Sequence, residues 1–502
     1  MTAFTWSPKR KGSPIQSRNT KPISKTLFVW VLIWINPDPS FCQENPYRDL
    51  LPAAENQVRA TYVLDRSEAL QDLLVLERVI KQGYSGYEVL GAEGMDWESF
   101  FQGLARDVAT REDWRQSEFL DLLRGYLQRI PDLHFGVFDR GQWLPARQPE
   151  RVFLTGIRVR KEGAAPLIVV EAPRGHSETV GSELVAIDGE TSSDFLFETL
   201  PGKSGARDYY LGKWSTESEP DPVGIEVKTP EGKSVQWKQE LHSPGVRLKS
   251  SSGRPFRLTY IPFPRIEIRT FSALVGLDLD QFRESAERAK DFDSVVVDLR
   301  GNQGGSDRYA REWLETLFGG PSTGWNISEL VSPVTLQGNV LLHQWLLSHA
   351  RNGAEKKEIG GRLAYAIEQL DQAEKESIER HWEKFSGESM SDPQTNQPFN
   401  GKLVLLVDSN TSSSAETFVL MARQFPQTVV LGENTHGMAR FGEIKLYRLP
   451  NSGFWIQAGS KHFEDPSGHF EEGRGFLPDY WLETSDPISG ILERLDTAIP
   501  ED

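Results

Sequence analysis

A single cysteine, Cys42, stands in 502 residues. It lies close to the N-terminus, so a chain processed after it holds no thiol, and disulfides, thiol nucleophiles and Cys-ligated zinc are then all excluded. The nine histidines form neither H-E-x-x-H nor H-x-H, which removes the helical zinc-peptidase pattern. Neither G-x-x-x-x-G-K-[ST] nor G-x-G-x-x-G occurs, so the phosphate-cradling loops of nucleotide enzymes are missing as well. Positive charge is scarce: 56 Lys and Arg face 72 Asp and Glu, a formal net charge of −16. No Lys/Arg cluster interleaved with aromatics follows the first thirty residues, so no nucleic-acid partner is expected. No metal and no organic cofactor is expected either.

Long apolar runs are also missing. The stretch from Leu27 to Ile35 has nine apolar residues, too few to span a bilayer comfortably and suited to the core of a signal peptide. Lys9, Arg10, Lys11, Arg18, Lys21 and Lys25 precede it, Asp38 is the first acid, and Asn36-Pro37-Asp38-Pro39 follows as a helix breaker. Residues 1–43 are therefore expected to be a signal peptide and the chain to be exported, to a periplasm, a cell envelope or the medium. A retained N-terminal anchor is the alternative, because neither a small-x-small pair nor a good lipobox precedes Cys42. Membrane association is expected through this segment alone, and the oligomeric state is left open.

What the chain does have is core material: 38% hydrophobic residues, 14 Trp and 26 Phe, enough for two or three globular domains. Residues 44–145 read as a helical cap, because Leu70 to Ile80 and Phe119 to Leu127 place apolar residues at three- and four-residue spacing. From 150 to 245 the texture turns to short β-rich runs, among them Leu167 to Val170, Gly181 to Gly189 and a hairpin around Pro230-Glu231-Gly232. Residues 255–490 alternate strands and helices, the pattern of a mixed α/β core. Within that core, about 325–400 is polar and helical with little β signal, and is expected to be an insertion acting as a lid or partner surface.

Two segments of the core concentrate chemistry. Ser294-Val295-Val296-Val297-Asp298 and Leu403-Val404-Leu405-Leu406-Val407 are buried-strand runs that end in turns rich in Gly, Asn and Ser and then enter amphipathic helices. The first turn offers backbone N–H groups at Gly304 and Gly305. The second offers Ser413 at a helix start, where the macrodipole favours an anion, with the Ser414 N–H beside it. Nucleophile and oxyanion hole are the expected pair of roles. A plain N-cap is the competing reading of Ser412, Ser413 and Ser414, and Ser412 or Ser414 is the lesser candidate for nucleophile. Asp298 and Arg300 are expected to form a structural ion pair, and Asp479 to close a strand turn.

Asp298-Leu299-Arg300-Gly301-Asn302-Gln303-Gly304-Gly305, the Ser413-Ser414-Ala415-Glu416 elbow, Val429 to Gly437 and Glu472 to Asp479 follow in the order seen in the S41 peptidases, the family of C-terminal processing proteases and tricorn core proteases. The chain resembles that family. The resemblance implies a ClpP/crotonase-like ββα core within an α/β fold, a helical N-terminal cap and a PDZ-like module, for which any small β-barrel is the alternative. It also implies a peptide or protein substrate and Ser413 as nucleophile.

The processing branch places its base lysine just after the T-x-G turn, where this chain has Met438. Another base must serve, or catalysis is lost. Pro131-Asp132-Leu133-His134-Phe135-Gly136-Val137 resembles the D-x-H-x-x-V segment of the tricorn-like and retinoid-binding-like branches, which maps the base onto His134 and its supporting glutamate onto Glu472. Leu133 replaces the serine of the tricorn tetrad. Histidine suits proton shuttling near neutrality, and a carboxylate behind it fixes the tautomer. His436, in the T-x-G turn, is the rival base. An exported serine peptidase working through Ser413, His134 and Glu472 is the expectation, and a non-catalytic S41-fold protein binding a peptide tail or apolar ligand is the alternative.

Overall fold

Asp65 and Glu68 close a capping box: Glu68 N donates to Asp65 Oδ1 at 2.8 Å and Asp65 N donates to Glu68 Oε2 at 2.9 Å. Two otherwise orphaned donors are satisfied, and helix α1 (Arg66–Gly83) starts there. The structure is a computed structural model. It describes residues 63–482 apart from 140–141, 146, 192, 201–205, 245–255, 261–263, 272–278, 321, 323, 351 and 386–398. The expected leader and residues 44–62 lie outside the described residues. Ala69, Leu73, Leu76, Val79 and Ile80 form the buried stripe of α1. Helices α2 (Gly86–Ala92), α3 (Trp97–Ala109) and α4 (Gln116–Leu127) follow, and β1 (Val63–Asp65) pairs with β2 (Asp113–Arg115). The last stretch of the expected cap is not helical. It forms the antiparallel pair β3 (Gly136–Asp139) and β4 (Gln142–Pro145), which adds to a sheet of the core.

The next region is a seven-stranded antiparallel sheet. Its strands are β5 (Arg151–Lys161), β6 (Ile168–Glu171), β7 (Glu183–Ile187), β8 (Leu196–Glu198), β9 (Arg207–Ser215), β10 (Val223–Lys228) and β11 (Ser234–Gln239). In space they run β11-β10-β7-β6-β5-β9-β8 around a core of Ile157, Val159, Leu211, Ile225 and Val227. Among its described residues the only helical turns are two short 3₁₀ segments, Arg174–Thr179 and Ser193–Phe195, and no α-helix walls a peptide groove. Of the two expectations for this stretch, a PDZ-like or a small β module, the described residues form a small antiparallel β module. Gly181 at φ 89° and Gly189 at φ 82° are the turns bounding β7, which is why that stretch imitates a recognition loop in sequence.

The core contains β12 (Phe256–Thr259), β13 (Arg265–Ile268), α5 (Leu279–Ala289), β14 (Ser294–Asp298) and α6 (Asp307–Phe318). It continues through β15 (Asn326–Val331), α7 (Pro333–Ser348), α8 (Gly353–Lys375), β16 (His381–Phe385), β17 (Lys402–Val407) and α9 (Ser414–Ala422). It closes with β18 (Thr428–Gly432), β19 (Phe441–Arg448), β20 (Trp455–Glu464) and β21 (Tyr480–Trp481). One six-stranded sheet has the order β12-β13-β14-β17-β18-β21, with all pairs parallel except the first. Residues 295–297 and 403–407 are buried along their length, as strands covered on both faces require. Trp313 and Leu317 of α6 and Ala415, Phe418 and Val419 of α9 pack on it.

A second sheet runs β16-β15-β20-β3-β4, and β19 pairs with β20. The region 325–400 is therefore not a wholly helical insertion. Its strands β15 and β16 are rungs of this sheet, with Glu329 opposite both Glu383 and Lys461. Charged residues in Asn326-Ile327-Ser328-Glu329-Leu330-Val331 and His381-Trp382-Glu383-Lys384-Phe385 mask the alternation by which strands are recognised.

Candidate active site

Because β14 and β17 are parallel and in register, with Val296 opposite Val404 and Asp298 opposite Leu406, their C-terminal turns emerge side by side. Three cross-links lock the turns together. Ser412 N donates to the Asn302 carbonyl at 2.9 Å, Thr411 Oγ1 to the Leu299 carbonyl at 3.1 Å, and Gly301 N to Asp408 Oδ1 at 2.9 Å. Asp298 and Arg300 pair at 2.8 Å, as expected, with Arg265 and Arg269 on the same carboxylate. Burial alone would raise the Asp298 carboxyl, but Arg300 and Arg269 outweigh it and hold it below its ordinary range. Asp479 accepts from Val430 N at 2.7 Å and ties β18 to the start of β21.

Ser413 stands at φ 55°, ψ −123°, immediately before α9. An ordinary N-cap has an extended backbone, so this serine is more than a cap. A non-glycine residue held there costs about 1–3 kcal/mol, and the sharp strand-to-helix turn is the geometry that lifts a nucleophile clear of its neighbours. Its flanking serines are engaged: Ser412 is buried, and Ser414 Oγ donates to the Gly305 carbonyl at 2.7 Å.

Gly304 presses on this elbow. A Cβ there would come within 2.7 Å of Ser413 Cβ and 2.8 Å of both the Ser412 carbonyl oxygen and Ser414 N, and its φ is 88°. Only glycine fits on both counts. Its N–H is spent on Asn302 Oδ1 at 2.9 Å, so Gly304 acts as a spacer, which corrects its expected place among the oxyanion donors. The N–H groups of Gly305 and Ser414 have no acceptor among the described residues.

Ser413, Ser414, Gly304, Gly305, Met438 and His134 line one cavity of about 800 Å³. His134, about 280 residues upstream of Ser413, arrives there because β3 pairs with residues 455–457 of β20. The loop before β3 is pinned at several points. His134 N donates to Asp132 Oδ1 at 2.7 Å, Gln457 Nε2 donates to the His134 carbonyl at 2.7 Å, and Leu133 N donates to Glu472 Oε1 at 3.0 Å. No hydrogen bond joins His134 to Ser413, and His134 Nδ1 is buried without a partner. Burial, aided by the nearby His436, pushes the His134 ring down to about 4, against the Phe441 carbonyl, which favours the protonated form. His134 is thus a neutral ring at ordinary pH.

Glu472 is placed differently from expectation. Its carboxylate accepts backbone N–H groups from both walls of the site, Leu133 on one side and Arg440, at 3.0 Å, on the other. It holds the His134 loop against the turn after Met438 and makes no hydrogen bond to the imidazole. His436 is not among the residues that line the cavity; its Nδ1 lies 2.9 Å from the Ser409 carbonyl, and burial lowers its pKa as well.

Two buried residues, Glu416 and Asp132, carry the site without having been singled out in the sequence. Glu416 accepts four hydrogen bonds: Ser413 N at 2.9 Å, Thr435 Oγ1 at 2.6 Å, Gly437 N at 2.7 Å and Met438 N at 2.9 Å. One carboxylate thus clamps the elbow to the T-x-G turn. Burial raises it to about 7 against those bonds. Asp132, also raised to about 7 by burial, lies against Tyr84, whose hydroxyl couples to it without making a well-formed hydrogen bond. Glu472 is raised well above its ordinary range by burial and by Asp132. The S-x-A-E and D-x-H patterns contained Glu416 and Asp132, but only as spacing markers.

No curated protein matches the chain. Among solved structures it is similar to mature CPAF complexed with lactacystin, at 17% identity over 86% of this chain and 98% of that one, with a TM-score of 0.47. It is also similar to the photosystem II D1 C-terminal processing protease, at 14% identity over 86% and 98% of the two chains and a TM-score of 0.38. The tricorn protease is similar at 12% identity over 87% of this chain and 36% of that one, with a TM-score of 0.34. Residues 356–482 match the model of peptidase family S41, and that stretch holds Ser413, Glu416, Met438 and Glu472. By that match residues 356–482 are similar to peptidase family S41, the family the motifs resemble.

Proposed function

We propose that the protein is an exported serine peptidase in which Ser413 is the nucleophile and His134 its base. The observation that carries this reading is the left-handed backbone of Ser413 at the head of α9, facing a cavity that also holds a buried neutral histidine and two unoccupied N–H groups. Ser413 Oγ attacks the peptide carbonyl carbon as its proton passes to His134. The Gly305 and Ser414 N–H groups receive the oxyanion, and removing one such donor typically costs about 10²–10³ in rate. The imidazolium then protonates the leaving amine, and a water activated by the same ring hydrolyses the acyl-enzyme. Asp132, Glu472 and Glu416 are positioning residues, since each holds backbone on a wall of the site. No step calls for a metal.

A second reading has a specific observation in its favour. Met438 lines the cavity at the place where the processing branch carries its lysine, and a protein that had lost catalysis would use the cleft to bind a peptide tail or apolar ligand. Fluorophosphonate labelling separates the two. Label mapped to Ser413 and lost in His134→Ala supports the peptidase; label that survives in His134→Ala but is lost in His436→Ala moves the base to the turn; no label on the folded protein favours the binder.

A further inference from the structure

The recess of the cavity around Ser413 has apolar as well as polar and charged lining. Trp325, Leu342, Phe441, Ile444 and Phe463 line it, and Trp325 and Phe441 are almost wholly buried. Trp325 is locked by its Nε1 hydrogen bond to Thr417 Oγ1 at 2.9 Å, one helical turn beyond the nucleophile. Such a wall is complementary to the aliphatic stem of a side chain.

The recess also contains charge, and most of it is already paired. Arg269 is held by Asp298 and Glu267, Arg308 by Glu312, and Glu443 by Lys445 and Lys461. Asp307 is different. It is the first residue of α6, its carboxyl faces Ser414 and Thr417 beside the nucleophile, and no ion pair to it forms among the described residues. Arg311 and Lys461 act on it through their charge without pairing with it: Arg311 donates to the Ser322 carbonyl, and Lys461 pairs with Glu329 and Glu443. Burial raises its pKa, outweighing the hydrogen bonds from Ser414 and Thr417 and the charges of Arg311 and Lys461. An acid in the first turn of a helix ordinarily serves the macrodipole from the surface. This one borders the cavity, next to the residue that would form the acyl bond.

We propose that Asp307 is the specificity determinant of this recess and that the recess takes a lysine or arginine side chain, that of the residue preceding the scissile bond. The apolar walls carry the stem, and the carboxyl pairs with the cationic tip. The inference rests on the peptidase reading for the word scissile, while the selectivity of the recess stands apart from catalysis.

Two measurements on the full chain test it separately. Mixed peptides differing only at one position, Lys, Arg, Leu or Glu, are offered to the protein for cleavage and, in parallel, to Ser413→Ala for binding by fluorescence anisotropy. A desolvated charge pair predicts cleavage after Lys or Arg at least about 30-fold more efficient than after Leu. In Asp307→Asn the ratio falls toward one, and in Asp307→Lys it turns toward Glu. Ratios do not depend on how much of each variant folds. Cleavage without basic preference, or a preference unchanged in Asp307→Asn, overturns the assignment and leaves the peptidase reading standing. Selective binding of Lys or Arg peptides without any cleavage does the reverse.

Discussion

Glu416→Gln keeps the shape of the clamp and changes only its hydrogen-bonding capacity. The carboxylate accepts from four donors, whereas a glutamine side chain presents an NH₂ on one side. Whichever way it turns, that group confronts a backbone N–H: those of Ser413 and Met438 together, or that of Gly437 with the Thr435 hydroxyl. Orphaning buried donors costs about 1–3 kcal/mol each, so about 2–6 kcal/mol for a pair. Against this, the mutation removes a carboxyl whose burial lifts it to about 7, and relief of a shift of that size returns about 3 kcal/mol. Global stability is therefore expected to change little, with an unfolding temperature within a few degrees of wild type. The elbow is another matter. In either orientation one side of the clamp, Ser413 N with Met438 N or Gly437 N with Thr435 Oγ1, loses its acceptor and the elbow loosens, and an error of an ångström in the position of a nucleophile costs about 10² in rate. The assay is the second-order rate of fluorophosphonate labelling at Ser413, set beside thermal unfolding. Glu416→Gln should label about 100-fold more slowly while melting near wild type. Labelling at the wild-type rate would refute the clamp.

Other outcomes follow from the same geometry. His134→Ala should lower hydrolysis by about 10²–10⁴, while His436→Ala should stay near wild type, as measured by kcat/KM on a cleaved peptide. Because burial holds His134 near 4, the ring becomes charged only below that value, so the acid limb of the labelling-rate profile should fall near pH 4; a limb near 6.5 would mean that the ring is solvated. Gly304→Ala should abolish labelling and lower the unfolding temperature, since its Cβ overlaps Ser413 Cβ and its φ is positive. Asp132, raised to about 7, keeps a proton in the folded chain that the unfolded chain releases near pH 4. Its contribution to stability is thus present below that pH and is lost as pH rises through about 7. The unfolding temperature should decline between about pH 4 and 7, and Asp132→Asn should flatten that decline.

The elements that were readable from local pattern share a property: their residues report their own environment. The runs Val295 to Val297 and Leu403 to Val407 are apolar because both faces are covered, and the stripe of α1 repeats at helical spacing because one face is. The strands β15 and β16 gave no such signal, since their half-exposed positions carry Glu, Lys and His. The β module imitated a recognition domain through Gly181 and Gly189, whose role is to turn the chain around β7.

At the site the division is sharper. Sequence alone determined the elbow at Ser413, the need for glycine at 304, and the missing lysine at Met438, because strand, turn and helix start are consecutive in the chain. Only the tertiary structure decided that the Gly304 N–H is spent on Asn302, that Glu472 grips backbone on two walls instead of the imidazole, that Glu416 is the clamp, and that Asp307 borders the recess without an ion pair. Each of these depends on which groups meet across tens or hundreds of residues. The carboxylates in particular carry no local sign of burial, since an acid looks the same in sequence whether water or four N–H and O–H donors surround it.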